Sequence, residues 1–109
     1  MSVRVMIIDS DADFRSLLMH HVTSHWNDAI ISAYDPVSAG PLPDEFSGAG
    51  NDIILLGQEQ GDRDPLDVVR QFGRVSGFPA TLYFGSGDAE ERRQLQRLGV
   101  DGVFSREHL

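Results

Sequence analysis

The sequence contains no lysine and no cysteine: all nine basic side chains are arginine, set against 17 acidic ones. The missing lysine excludes a P-loop lysine, a Schiff-base or general-base lysine, and any lysine contact to a phosphoryl group. The missing cysteine excludes disulfides, thiolate metal sites and cysteine nucleophiles. Positive charge is scarce altogether. The net charge of −8 argues against nucleic acid or anionic lipid as a direct partner, because binding a phosphate surface requires cations that release its counterions. Nothing approaches the roughly 18 consecutive apolar residues of a membrane helix, and Met1-Ser2-Val3-Arg4 does not lead into the apolar run of a signal peptide. No membrane and, by elimination, a cytoplasmic location are expected. The remaining composition, 40% hydrophobic and 24% charged over 109 residues, is that of one globular domain spanning residues 1–109, large enough to bury roughly 65% of its unfolded surface.

Hydrophobic periodicity divides the chain into alternating elements. Val3 to Ile8 is an apolar run broken only by Arg4, suited to a strand buried on both faces. From Asp11 the period changes: Phe14, Leu17, Leu18, His21, Val22 and His25 or Trp26 recur at three- and four-residue steps, which predicts an amphipathic helix capped by Ser10 or Asp11. Asp28 to Tyr34 returns to strand character. Asp35 to Gly50 carries three prolines and three glycines, so Val37, Leu42 and Phe46 support at most a short or irregular helix. Ile53 to Leu56 is the clearest buried strand and stops at Gly57. Asp64-Pro65-Leu66-Asp67 opens a helix with Leu66, Val69 and Phe72 or Gly73 inward. Ala80 to Phe84 is a fourth strand, Asp88 caps a helix running through Leu98, and Val103-Phe104 is a short fifth strand.

This alternation predicts an α/β fold: a doubly wound five-stranded parallel sheet with right-handed crossovers. The second helix is expected to be eroded, and the helix that should follow the fifth strand is missing from the chain, which predicts the amino-terminal part of a longer protein or a chain cut at that point. In such a sheet ligands gather at the carboxyl ends of the strands. Those ends carry Asp9, Ser10 and Asp11, then Gly57 and Gln58, then Phe84 to Ser86, and finally Ser105 and Arg106.

Four stretches carry a family resemblance: Ile7-Ile8-Asp9-Ser10-Asp11-Ala12-Asp13-Phe14-Arg15, Asp52-Ile53-Ile54-Leu55-Leu56-Gly57, Pro79 to Gly85, and Leu98-Gly99-Val100-Asp101-Gly102-Val103-Phe104-Ser105-Arg106. In order and spacing they resemble the receiver domain of two-component response regulators. The resemblance implies a flavodoxin-like fold with strand order 2-1-3-4-5. It also implies a phosphorelay chemistry in which a third-strand aspartate takes a phosphoryl group beside a magnesium ion held by acids after the first strand.

The phosphoacceptor position is Gly57, and a hydrogen cannot accept phosphate. The paired acids become Asp9 and Ser10, the strand-four hydroxyl becomes Phe84, the strand-five lysine becomes Arg106, and the aromatic that switches rotamer falls at Val103. A one-residue slip in strand four would bring Gly85 or Ser86 to the Phe84 position and reverse the inward face. The expected function is therefore a phosphorylation-independent pseudo-receiver, not an enzyme. It would act by protein contact or homodimerisation on an output domain after Leu109, a kinase, a cyclic-dinucleotide enzyme or a DNA-binding domain, or on a separate partner. A receiver using a displaced aspartate, and a sensor of a small anion or nucleotide at the vacated pocket, are the rival readings.

Several residues carry two readings. Asp9 and Asp11 would suit residual magnesium, yet Asp11 also suits a helix cap, and no cofactor is expected. Arg106 would bind an anion or pair with Asp9 in the space the metal left. Phe84 would line a pocket or plug a disused site. His21 and His25 share a helix face without a third zinc ligand. Arg92, Arg93 and Arg97, beside Glu90 and Glu91, form a solvated face or a docking surface.

Overall fold

A computed structural model describes residues 2–109. Five parallel strands, β1 (Arg4–Ile8), β2 (Ile30–Tyr34), β3 (Ile53–Gly57), β4 (Ala80–Gly85) and β5 (Gly102–Ser105), form one sheet in the order β2-β1-β3-β4-β5. Three helices, α1 (Ala12–His25), α2 (Pro65–Gly73) and α3 (Ala89–Arg97), connect or flank them, and a 3-10 turn covers Arg106–His108. The expected fold class and strand order are those observed.

The helix starts follow from local chemistry. Asp11 accepts from the Asp13 and Phe14 amides, Asp64 from Leu66 with Pro65 at the first helical turn, and Asp88 from Glu90. Each cap satisfies amides that have no partner within the helix, a contribution of about 1 kcal/mol.

The sheet has a core on each face because strand side chains alternate. On one face Ile8, Ile54, Leu56, Tyr83 and Val103 pack under Val68, Val69 and Phe72 of α2 and Leu95 of α3. On the other, Val5, Ile7, Leu55 and Phe84 pack under Phe14, Leu18 and Val22 of α1.

Three expectations are corrected. In α1 the buried stripe is only Phe14, Leu18 and Val22. Leu17, His21, His25 and Trp26 are exposed, since a single helix resting on a sheet buries a narrower arc than its apolar positions suggest. In α2 the expected Val69 and Phe72 are buried and Leu66 packs against the core, but Val68 and Gln71 are buried beside them and Gly73, the alternative to Phe72, is exposed. Asp35 to Gly50 forms turns and no helix; within it Leu42 is buried and Phe46 packs against the core, whereas Val37 is exposed. Prolines at 36, 41 and 43 remove the amides a helix would need. No described helix is long and apolar enough to cross a membrane.

Candidate functional site

The carboxyl ends of β1, β3, β4 and β5 meet as the parallel topology requires, and Cα pairing sets Phe84 beside Gly57 and Phe104 beside Phe84. Strand-four register is thereby fixed, with Phe84 rather than Gly85 or Ser86 next to Gly57. Alternation then points Asp9, the missing side chain of Gly57, Phe84 and Phe104 toward the α1 face, and Val103 toward the opposite core.

Asp9 is fully buried and is the centre of the site. Its Oδ1 accepts the Asp11 amide at 2.7 Å, and its Oδ2 accepts Arg106 Nη1 at 2.8 Å and the Glu59 amide at 3.3 Å. A Cβ built on Gly57 would overlap Asp9 Oδ2 and lie 2.6 Å from Asp9 Cγ. The Asp9 carboxylate thus occupies the room in which a side chain at position 57 would begin.

Arg106 joins three elements. Nη2 lies 3.3 Å from Asp11 Oδ2 while Nη1 holds Asp9, and Cζ lies 3.7 Å from the centroid of the Phe14 ring. The planar guanidinium spans two carboxylates with its fork and uses its face on an aromatic, which a lysine ammonium cannot do. Burial pushes the Asp9 carboxyl above its ordinary value; the hydrogen bond and charge of Arg106 and the two amides oppose that rise without cancelling it.

Phe84 fills the α1 face, edge-on to Phe14 at 6.0 Å and stacked on Phe104 at 5.4 Å. It lines no cavity. Ser10 donates its amide to the Glu59 carbonyl at 2.7 Å. Val103, buried, pairs in register with Tyr83, so the aromatic on that side of the sheet comes from β4. Burial, with Glu91 and Asp64 nearby, pushes the Tyr83 hydroxyl up.

Four contributors escaped the sequence reading. Gln60 is buried and donates to the Ile8 and Gly57 carbonyls at 2.9 and 2.8 Å, tying the end of β3 to that of β1. Arg15 donates to the Asp9 carbonyl at 2.8 Å. Glu91 accepts the Ser86 amide at 3.3 Å and closes over Gly85. Phe14 read as core and is also the platform for Arg106. Only Arg15, four residues after the helix cap, had a positional signal.

The arginines of α3 lie apart from this cluster: Arg93 pairs with Glu90, while Arg92 and Arg97 have no carboxylate within ion-pair distance among the described residues. The imidazoles of His20 and His21 lie 6.0 Å apart and His25 packs on Trp26. Among the described residues no three histidine or acidic side chains gather as a metal site would need.

No protein-family model and no curated protein matches the chain. Solved structures do. The signal receiver domain of a DNA-binding response regulator from Colwellia psychrerythraea superposes with a TM-score of 0.80 at 16% identity, over 97% of this chain and 87% of that one. A response-regulator receiver domain from Rhodospirillum rubrum gives 0.76 at 18% identity, over 94% and 80%. The receiver domain of a histidine kinase from Arabidopsis thaliana gives 0.72 at 14% identity, over 95% and 80%. At such identities the likeness is one of architecture, and on that ground the chain has the fold of two-component receiver domains.

Proposed function

We propose that the chain is a pseudo-receiver: a regulatory domain, not an enzyme, that keeps the receiver architecture and does without aspartyl phosphorylation. The observation that carries this reading is the Asp9 carboxylate standing in the space of the absent side chain at position 57 and neutralised there by Arg106. The two acids do not fit magnesium. That ion needs near-octahedral oxygen ligands, whereas both Asp9 oxygens already accept N–H donors and a guanidinium bridges Asp9 to Asp11.

A displaced phosphoacceptor lacks support. Asp52 is at the far end of β3, accepting the Arg4 amide at 2.8 Å; Asp64 caps α2; Asp62 is exposed in a loop. The anion-sensor reading is disfavoured because Arg106 commits its fork to two carboxylates and its face to Phe14. In the reading we favour, control passes by protein contact or self-association, with the exposed arginines of α3 as a contact surface, to an output domain beyond Leu109 or to a separate partner.

Incubation with acetyl phosphate and magnesium followed by intact-mass measurement tests this. No adduct is expected. A stoichiometric, acid-stable, base-labile phosphoryl adduct overturns the proposal.

A further inference from the structure

The closed site is physically continuous with the surface of the sheet edge. From Asp9 and Asp11 the contacts run to the Arg106 guanidinium at 2.8 and 3.3 Å, from its face to the Phe14 ring at 3.7 Å, from Phe14 edge-on to Phe84 at 6.0 Å, and from Phe84 in a stack to Phe104 at 5.4 Å. Phe104 ends the series on the outer strand β5, with 45% of its surface exposed. Its ring also lies back over Gly102, where an added Cβ would come within 3.0 Å of Phe104 Cε2 and of Leu82 Cδ2. A large exposed aromatic is ordinarily free to change rotamer; here its position is set from below by the missing side chain of Gly102 and from the side by the stacked ring of Phe84.

We propose that Arg106 is a positioning residue that fixes this aromatic edge. Held flat by two carboxylates, it sets the Phe14 ring, and through Phe84 it holds Phe104 and β5 in one arrangement. The structural state of the former phosphorylation site is thereby expressed on the α1 face of β5, through Phe104, and not at the Val103 position on the opposite face. This deepens the pseudo-receiver reading and rests on it: a permanent guanidinium clamp takes the place of a signal-dependent one.

The test compares Arg106→Lys and Phe84→Leu with the wild type by backbone amide exchange and by ring resonances of Phe104. Lysine keeps a positive charge beside Asp9 but cannot bridge both carboxylates or lie flat on Phe14. Leucine at 84 leaves the ion pairs untouched and removes the aromatic link. In both variants the amides of residues 103–105 are expected to accelerate about tenfold more than those of Ile7 and Leu55, which follow global stability, and the Phe104 ring to average over rotamers. Wild-type exchange and ring shifts at β5 in Arg106→Lys overturn the proposal. So does equal acceleration across all strands, which is the signature of simple global destabilisation. A phosphoryl adduct in the acetyl phosphate experiment would remove the pseudo-receiver reading without altering these rates, and unaltered rates would remove the coupling while leaving that reading in place.

Discussion

Gly57→Ala isolates the central geometric claim, because it adds a single carbon where the Asp9 carboxylate lies. The backbone at Gly57 is not in the positive-φ region, so alanine is conformationally allowed and, with the strand otherwise unchanged, would gain about 0.5–1 kcal/mol by reducing unfolded-state freedom. Against that, the Cβ would stand 2.6 Å from Asp9 Cγ and overlap Oδ2, so Asp9 must rotate away. Rotation breaks its bond to Arg106, and parting a buried ion pair costs about 3–5 kcal/mol. Arg106 keeps Asp11 as a partner, which places the cost at the lower end. The net expectation is a loss of about 2–3 kcal/mol, a fall in Tm on the order of 10–20 °C for a domain of this size. Urea denaturation followed by the fluorescence of the single tryptophan, Trp26, measures it. Gly57→Asp should lose at least as much, since it adds a second carboxylate beside Asp9. The double variant Asp9→Ala with Gly57→Asp should recover most of the loss by presenting one carboxylate to Arg106 from β3 instead of β1. If Gly57→Ala proves as stable as the wild type, Asp9 does not hold that space and the account of the closed site fails.

Three further outcomes are expected. Burial raises the Asp9 carboxyl above its ordinary 3.8, so its contribution to stability is complete below 3.8 and is lost as pH rises through the folded value. The stability of the wild type relative to Asp9→Asn should therefore fall from pH 4 toward neutrality, and a flat or rising difference, by urea titration at each pH, would refute this. Gln60→Ala should cost about 1–3 kcal/mol, because it strips the Ile8 and Gly57 carbonyls of their buried donor; a change under 0.5 kcal/mol would mean water replaces the amide freely. Phe84→Ala should cost about 3–5 kcal/mol as a buried ring, whereas Phe104→Ala should cost about 1 kcal/mol, the value of an aromatic pair at an exposed site. Equal losses in chemical denaturation would show that Phe104 is structural core.

Local patterns made the architecture legible. The apolar run Ile53–Leu56 and the aspartate caps at positions 11, 64 and 88 are signals carried within a few residues, and the strands and helices fall where those signals put them. Asp9, Gly57, Phe84 and Arg106 were identifiable as neighbours because strand ends of a parallel sheet converge, whereas the strand order was an implication of the receiver resemblance and not of any local pattern. The excess width of the α1 stripe was not legible, since burial of Leu17 and Trp26 depends on what else covers the sheet.

The sequence by itself determined that lysine, cysteine and a third-strand carboxylate are absent, and that Arg106 stands at the end of β5. Only the tertiary structure decided what became of the space. Whether Asp9 binds a cation, faces water or pairs with Arg106 depends on rotamers and on approaches of a few ångströms between residues 97 positions apart in the chain, for which no local pattern exists. The same holds for Gln60 bonding across 52 positions and for Phe14 lying under a guanidinium. Their side chains are ordinary in sequence, and their roles come from the backbone bringing four strand ends within hydrogen-bonding distance, where a buried carboxylate must find its partner.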